Sequence, residues 1–195
     1  MKVFKAAIIT KNKKPLKIVN IKLIKPQYNQ VLVKILYSAF CASQYGEIEG
    51  VKGKDNYLPH CLGHEACAKV ILTGLGVQKV KKNDLVVLHW MKSQGHDAGG
   101  IKYESQDYKK KINAGPITTF SEYSIVSENR LTKVPKNKYN LKNLPLMGCS
   151  LSVAISTLEK IVNVRVGKKI LIVGGGAIGL PMIHYCNKIL LSNID

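Results

Sequence analysis

Residues 166–190 read VGKKILIVGGGAIGLPMIHYCNKIL, and the fold turns on them. Four apolar residues, 170–173, precede glycines at 174, 175, 176 and 179, and an uncharged apolar stretch follows. A short apolar run ended by glycine reads as a buried strand, so the order is strand, turn, helix. Gly174, Gly176 and Gly179 have the G-x-G-x-x-G spacing. In that pattern the first glycine allows the tight turn, the second lets a pyrophosphate approach the backbone, and the third lets helix pack on strand. The start of the helix offers unpaired N–H groups and a partial positive charge to phosphates. Such a unit opens a doubly wound α/β domain. The acidic residue expected to grip the adenine ribose about 20 residues on falls past the last residue, Asp195, which is a poor stand-in. Only the first strand and helix of a nucleotide domain are expected, and an isolated βα unit cannot build a parallel sheet. The sequence therefore reads as a piece of a longer protein, or as a chain that pairs with something else.

Upstream, LMGCSLSVAISTLEKIVN (146–163) carries apolar residues at 151, 154, 155, 158, 161 and 162, a helical stripe. Before it the texture is that of strands. KVFKAAII, LKIVNIKLI, QVLVKILYSAF, ACAKVILTG, DLVVLHWM, ITTFSEYSIV and RLTKV are short runs rich in Val and Ile, with Pro, Gly or Asn between several of them. Short strands at such spacing predict a small barrel or sandwich. The polar interval 92–115 reads as a long loop. Two domains are expected, residues 1–147 and 148–195.

The charge is +18, from 30 Lys plus Arg against 12 Asp plus Glu. Such an excess suits nucleic acid or a membrane surface, but the lysines are spread along the chain. Arg, the usual base reader, stands only at 130 and 165. A solvated lysine surface is the expectation, with no nucleic-acid and no membrane partner. The N-terminal apolar run is too short for a signal peptide. The uncharged stretch from Ile170 to Asn187 holds four glycines and a proline and falls short of a membrane span. Five cysteines, at 41, 61, 67, 149 and 186, form no disulfide framework. A reducing cytoplasm with free or metal-bound thiols is the expected setting.

One further stretch carries chemistry. HCLGHEACAKV (60–70) places Cys61 and Cys67 three residues either side of His64, with His60 beside them. It reads either as a local metal clip with no obvious fourth ligand except His60, or as one histidine that joins distant partners. In the second case Cys67, opposite Ala66 and Ala68 on a strand, packs in the sheet as a small hydrophobe.

LGHEACAKVILTGLGVQKVKKNDLVV (62–87) resembles the zinc signature of the medium-chain alcohol and polyol dehydrogenases. CASQ (41–44) resembles the family's Cys-x-Thr/Ser-Asp, and GCSLSVAIST (148–157) its Gly-Cys helix start before the nucleotide-binding strand. The resemblance runs in order over essentially the whole chain. It implies a mixed β and α/β fold, a GroES-like β-barrel catalytic domain followed by the start of a Rossmann domain. It implies one catalytic zinc held by Cys41, His64 and Cys149 in the cleft between domains, with a fourth position open. Glu65 matches a carboxylate near that zinc; its bland reading is a buried partner for a nearby Lys or Arg. Ser43 matches the hydroxyl that relays the alcohol proton; its bland reading is a helix cap. Gly174, Gly176 and Gly179 would hold NAD or NADP.

Three departures stand out. Gln44 replaces the usual Asp, which alters support of the ligand shell. Ala68 replaces a usual glycine. Residues 88–115 lack the four-cysteine lobe, so no structural zinc is expected. The activity implied is reversible oxidation of an alcohol or polyol with a nicotinamide cofactor, by a homo-oligomer when full length. The alternative is a non-catalytic fragment that binds zinc but cannot hold NAD(P). His89, Trp90 and His96 are candidates to line a polar-substrate pocket, and His184 reads as structural.

Overall fold

The computed structural model of the chain describes residues 2–136 and 138–190. Ten strands and three α-helices follow in order: β1 (Val3–Ile9), β2 (Lys17–Lys22), β3 (Gln30–Ser38), α1 (Ala42–Glu49), β4 (His60–Cys61), β5 (Ala66–Thr73), β6 (Leu85–Leu88), β7 (Ile101–Tyr103), β8 (Ile112–Gly115), β9 (Tyr123–Ser127), β10 (Leu131–Lys133), α2 (Ser150–Ser156) and α3 (Gly179–Tyr185). They form two five-stranded sheets, ordered β2-β1-β4-β8-β7 and β10-β6-β5-β3-β9.

Alternation fixes the register. In β5, Ala66, Ala68 and Val70 enter one core with Val31, Val33, Val86, Leu88 and Leu131, while Cys67 turns to the other face among Val87, Val134 and Leu144. The second sheet has its own core of Phe4, Ile8, Ile21, Tyr103 and Ile112. Its placement against the first is set by polar ties. The Ile125 N–H donates to the fully buried Tyr103 hydroxyl (2.9 Å), and the Ala7 N–H donates to the Phe120 carbonyl (2.8 Å).

The interval read as a long loop is more ordered than expected, because β7 and β8 lie inside it. These strands are three and four residues long, too short for a periodic signal. The first part of the interval is held by Glu128, which is buried. Its carboxylate accepts the N–H groups of Gln78, Lys79 and His96, and pairs with the His96 ring (2.9 Å). Burial alone would raise this carboxyl, but those hydrogen bonds outweigh it and hold the pKa down to about 2.

Two other expectations need correction. The run 170–173, read as a buried strand, has no strand partner among the described residues, and Leu171 and Val173 are 89% and 90% exposed. Apolar sequence makes a strand only when a neighbouring backbone accepts its hydrogen bonds. The helical stripe after 150 does form α2, continued by a π-helical segment, Thr157–Val162. Only Ala154 and Leu158 of its apolar residues are buried, whereas Ile161 and Val162 stay exposed. Asp195 lies outside the described residues. Among these, no helix is long and apolar enough to cross a membrane.

Candidate metal centre

Antiparallel pairing assembles the site from segments remote in sequence. β3 and β5 pair with Ser38 opposite Ala66. Cys41, just past the end of β3, therefore lies beside His64 and Glu65, just before the start of β5. The Glu65 carbonyl accepts the Ala39 N–H (3.3 Å) and the Ser38 hydroxyl (3.1 Å), which locks the two strand ends together. β5 pairs in turn with β6, Ala66 opposite Leu88. Gly148 then presses so closely on the Leu88 carbonyl and on Glu65 that a Cβ would sit 2.2 Å from the former. That contact delivers Cys149, the residue before α2. Gly63 is equally constrained: its φ is +90°, and a Cβ would meet the Thr119 hydroxyl at 2.2 Å. Each of the two glycines thus precedes a candidate ligand for a steric reason.

One sulfur each of Cys41 and Cys149, one ring nitrogen of His64 and one carboxylate oxygen of Glu65 all lie within 4.8 Å of one another. The Sγ–Sγ separation is 4.0 Å. Two thiolates about 2.3 Å from a tetrahedral zinc would stand about 3.8 Å apart, so the spacing fits. The electrostatics fit as well. Burial, then repulsion from Cys41 and Glu65, pushes the Cys149 thiol up. Burial also raises the Glu65 carboxyl, and its Oε2 has no hydrogen-bond partner. Burial lowers His64, keeping its ring neutral and able to ligate. Crowded acids and an orphaned oxygen are what a cation would relieve.

The local clip does not assemble. Cys61 packs in the core of the sheet containing β1, and burial pushes its thiol up to about 12; Cys67 packs on the other sheet, its thiol pushed to about 11. His60 is occupied by Asp55 (2.8 Å) and the Cys61 carbonyl (2.9 Å). Glu65 is buried, but no ion pair joins it to a nearby Lys or Arg among the described residues: burial raises its carboxyl, and the Ser150 N–H only partly offsets that. Ser43 lies inside the first turn of α1, exposed, while the N-cap position belongs to Cys41, so the capping reading fails.

A cavity of about 580 Å³ opens beside the cluster, and its lining includes Gln44, Gly63, His64 and Trp90. The Trp90 ring meets His64 edge-on (centroids 5.9 Å), and the Arg130 guanidinium lies 5.7 Å over that ring. His89 and His96 are absent from this lining. His89 is bound by the Met91 carbonyl (2.6 Å) and the Thr132 hydroxyl (3.0 Å), and His96 belongs to Glu128. His184 is exposed on α3. The buried Gln44 amide, which bridges Gly63 and His64, is the feature with the weakest sequence signal.

At the glycine turn, Gly174 has φ +101°, and a Cβ at Gly174, Gly175 or Gly176 would meet nothing within 4 Å, so this backbone is open to a ligand. A Cβ at Gly179 would fall 1.9 Å from the Gly174 carbonyl, so the third glycine is required for packing.

Residues 27–136 match the model of the alcohol dehydrogenase GroES-like domain. Alcohol dehydrogenase-like 3 of Arabidopsis thaliana is 29% identical over 91% of this chain and 53% of its own length. An S-(hydroxymethyl)glutathione dehydrogenase of Escherichia coli is 26% identical over 92% and 54%. Among solved structures, an alcohol dehydrogenase zinc-binding domain protein from Burkholderia ambifaria superposes with a TM-score of 0.82 at 20% identity, over 95% of this chain and 56% of that one. The CAD of Helicobacter pylori complexed with NADP(H) gives 0.76 at 22% identity, over 96% and 57%. The chain spans about half the length of the curated relatives it matches. With its two curled sheets and its matching barrel sequence, it belongs to the alcohol dehydrogenase family with a GroES-like domain.

Proposed function

We propose that this chain is the zinc- and alcohol-binding part of a nicotinamide-dependent alcohol dehydrogenase, with residues 1–147 as the catalytic domain and 148–195 as the start of the dinucleotide domain. The observation that carries the reading is the convergence of Cys41, His64, Glu65 and Cys149 within 4.8 Å from three separate segments. Cys41, His64 and Cys149 would hold one zinc, and Glu65 offers a fourth, exchangeable donor. When bound, zinc supplies a Lewis acid that lowers the pKa of an alcohol hydroxyl, and the nicotinamide supplies the hydride acceptor.

The chain's own residues do the rest. Trp90 and the cavity wall beside it orient an alcohol against His64. The lining also includes Asn12, Lys52, Asp55 and Asn56, polar groups that suit a hydroxylated substrate such as a polyol. Ser43, exposed two residues after Cys41, takes the hydroxyl proton and passes it to solvent. The open backbone at Gly174 and Gly176 leaves room for a pyrophosphate, and Gly179 holds α3 against that turn. Five free thiols suit a reducing compartment such as the cytoplasm.

One observation favours the alternative of a non-catalytic fragment: the unpaired, exposed run 170–173. Equilibrium dialysis against zinc and NAD or NADP separates the readings. Retention of one zinc and a dinucleotide supports the enzyme. Retention of zinc alone supports the fragment, and retention of neither removes the metal centre.

A further inference from the structure

We infer that Gln44 is a positioning residue that holds the metal-free His64 ring in the tautomer opposed to metal binding, and so keeps the centre weakly loaded and exchangeable. The inference rests on the metal centre proposed above. Gln44 is 3% exposed in the first turn of α1. Its Oε1 accepts the Gly63 N–H. A backbone N–H can only donate, so this contact fixes which end of the amide faces Gly63. The other end, Nε2, lies 2.9 Å from His64 Nδ1. An amide nitrogen donates and does not accept, so Nδ1 is the acceptor. A neutral imidazole with Nδ1 accepting carries its proton on Nε2.

That is the wrong nitrogen to protonate. With Nδ1 facing Gln44, Nε2 is the atom left to join the sulfurs of Cys41 and Cys149. To ligate there, the ring must move its proton to Nδ1, which then points an N–H at the amide NH₂. Flipping the amide answers Nδ1–H but turns the NH₂ against the Gly63 N–H. Either way, loading a cation breaks one buried hydrogen bond that the metal-free state makes. A carboxylate at position 44 would accept from Gly63 and from Nδ1–H together, with no such conflict. The partner of a ligating histidine typically changes metal affinity tenfold to about 100-fold.

The test is zinc affinity of the chain at pH 8, measured by competition with a chromophoric chelator, for the native protein, Gln44→Glu and Gln44→Met. Gln44→Glu is expected to bind about 10- to 100-fold more tightly. Gln44→Met removes the opposing donor without adding charge, and is expected to bind more tightly than native by a smaller factor. A ¹⁵N spectrum of metal-free native protein supplies a readout that needs no variant: His64 is expected as the Nε2–H tautomer. An Nδ1–H tautomer, or affinities for both variants equal to or below native, overturns the role of Gln44 and leaves the metal centre standing. Failure of all three proteins to bind zinc overturns the metal centre, and this inference with it.

Discussion

Residues 3–134 and residues 150–190 obey opposite rules of burial. In the first region alternate strand residues fill closed cores, and Val31, Val33, Val70 and Leu131 are wholly inaccessible. In the second, Ile161, Leu171 and Val173 are apolar and 78–90% exposed. The first segment pairs its strands into two sheets; the second presents an apolar face with no covering strand among the described residues. The candidate centre straddles the two. Cys41, His64 and Glu65 belong to the self-sufficient sheet, and Cys149 stands at the junction, held there by Gly148 against Leu88 and Glu65. The lesson is that ligand geometry is set by the β-body, while the glycine turn is a local device still open to solvent.

Perturbing the two regions should give unequal effects. Leu131→Ala empties a fully buried position and is expected to cost about 2–5 kcal/mol in denaturant unfolding. His64→Ala should weaken zinc binding on the order of 100-fold or more, read by chelator competition, given that whole structural sites contribute roughly 10–16 kcal/mol across four ligands. Glu128→Gln should cost about 2–3 kcal/mol, because a buried carboxylate loses charge-assisted bonds to Gln78, Lys79 and His96. Its pKa is depressed in the folded state to about 2, so the stability it adds is present above the unfolded carboxyl value of about 4.3 and is lost as pH falls toward 2. In acid, Glu128→Gln and native protein should converge. Leu171→Ala should change stability by less than about 0.5 kcal/mol. A larger loss would mean that the second region is packed after all, and the contrast would fail.

Much of the architecture was legible because it is written in periods. The alternation of Ala66, Cys67 and Ala68 gave β5 and the packing of Cys67 on the opposite face, and the spacing of Gly174 and Gly179 gave the turn and the close packing of α3. Strands β7 and β8 were not legible, since three or four residues hold too little of a period. The start of β9 marks the same limit from the other side: the run read at 117–126 is strand only from Tyr123 on, because Thr119 and Phe120 instead spend their N–H groups on the Leu62 carbonyl. At the site, glycine before His64 and glycine before Cys149 were visible as letters. The reason for them, a Thr119 hydroxyl and a Leu88 carbonyl where a Cβ would go, is a long-range contact that sequence does not carry. The Gln44 bridge was visible only as a departure from a motif; its hydrogen-bond direction depends on Gly63, a neighbour across the fold.

The central claim is that sulfurs at 41 and 149, far apart in the chain, share one ion with His64. Cobalt(II) substitution tests it most directly, since thiolate ligation gives a charge-transfer band in the near ultraviolet. Cys41→Ser and Cys149→Ser should each diminish that band by about half, while Cys61→Ser and Cys67→Ser leave it intact. A band that survives Cys149→Ser undiminished, or that disappears with Cys67→Ser, would contradict the account.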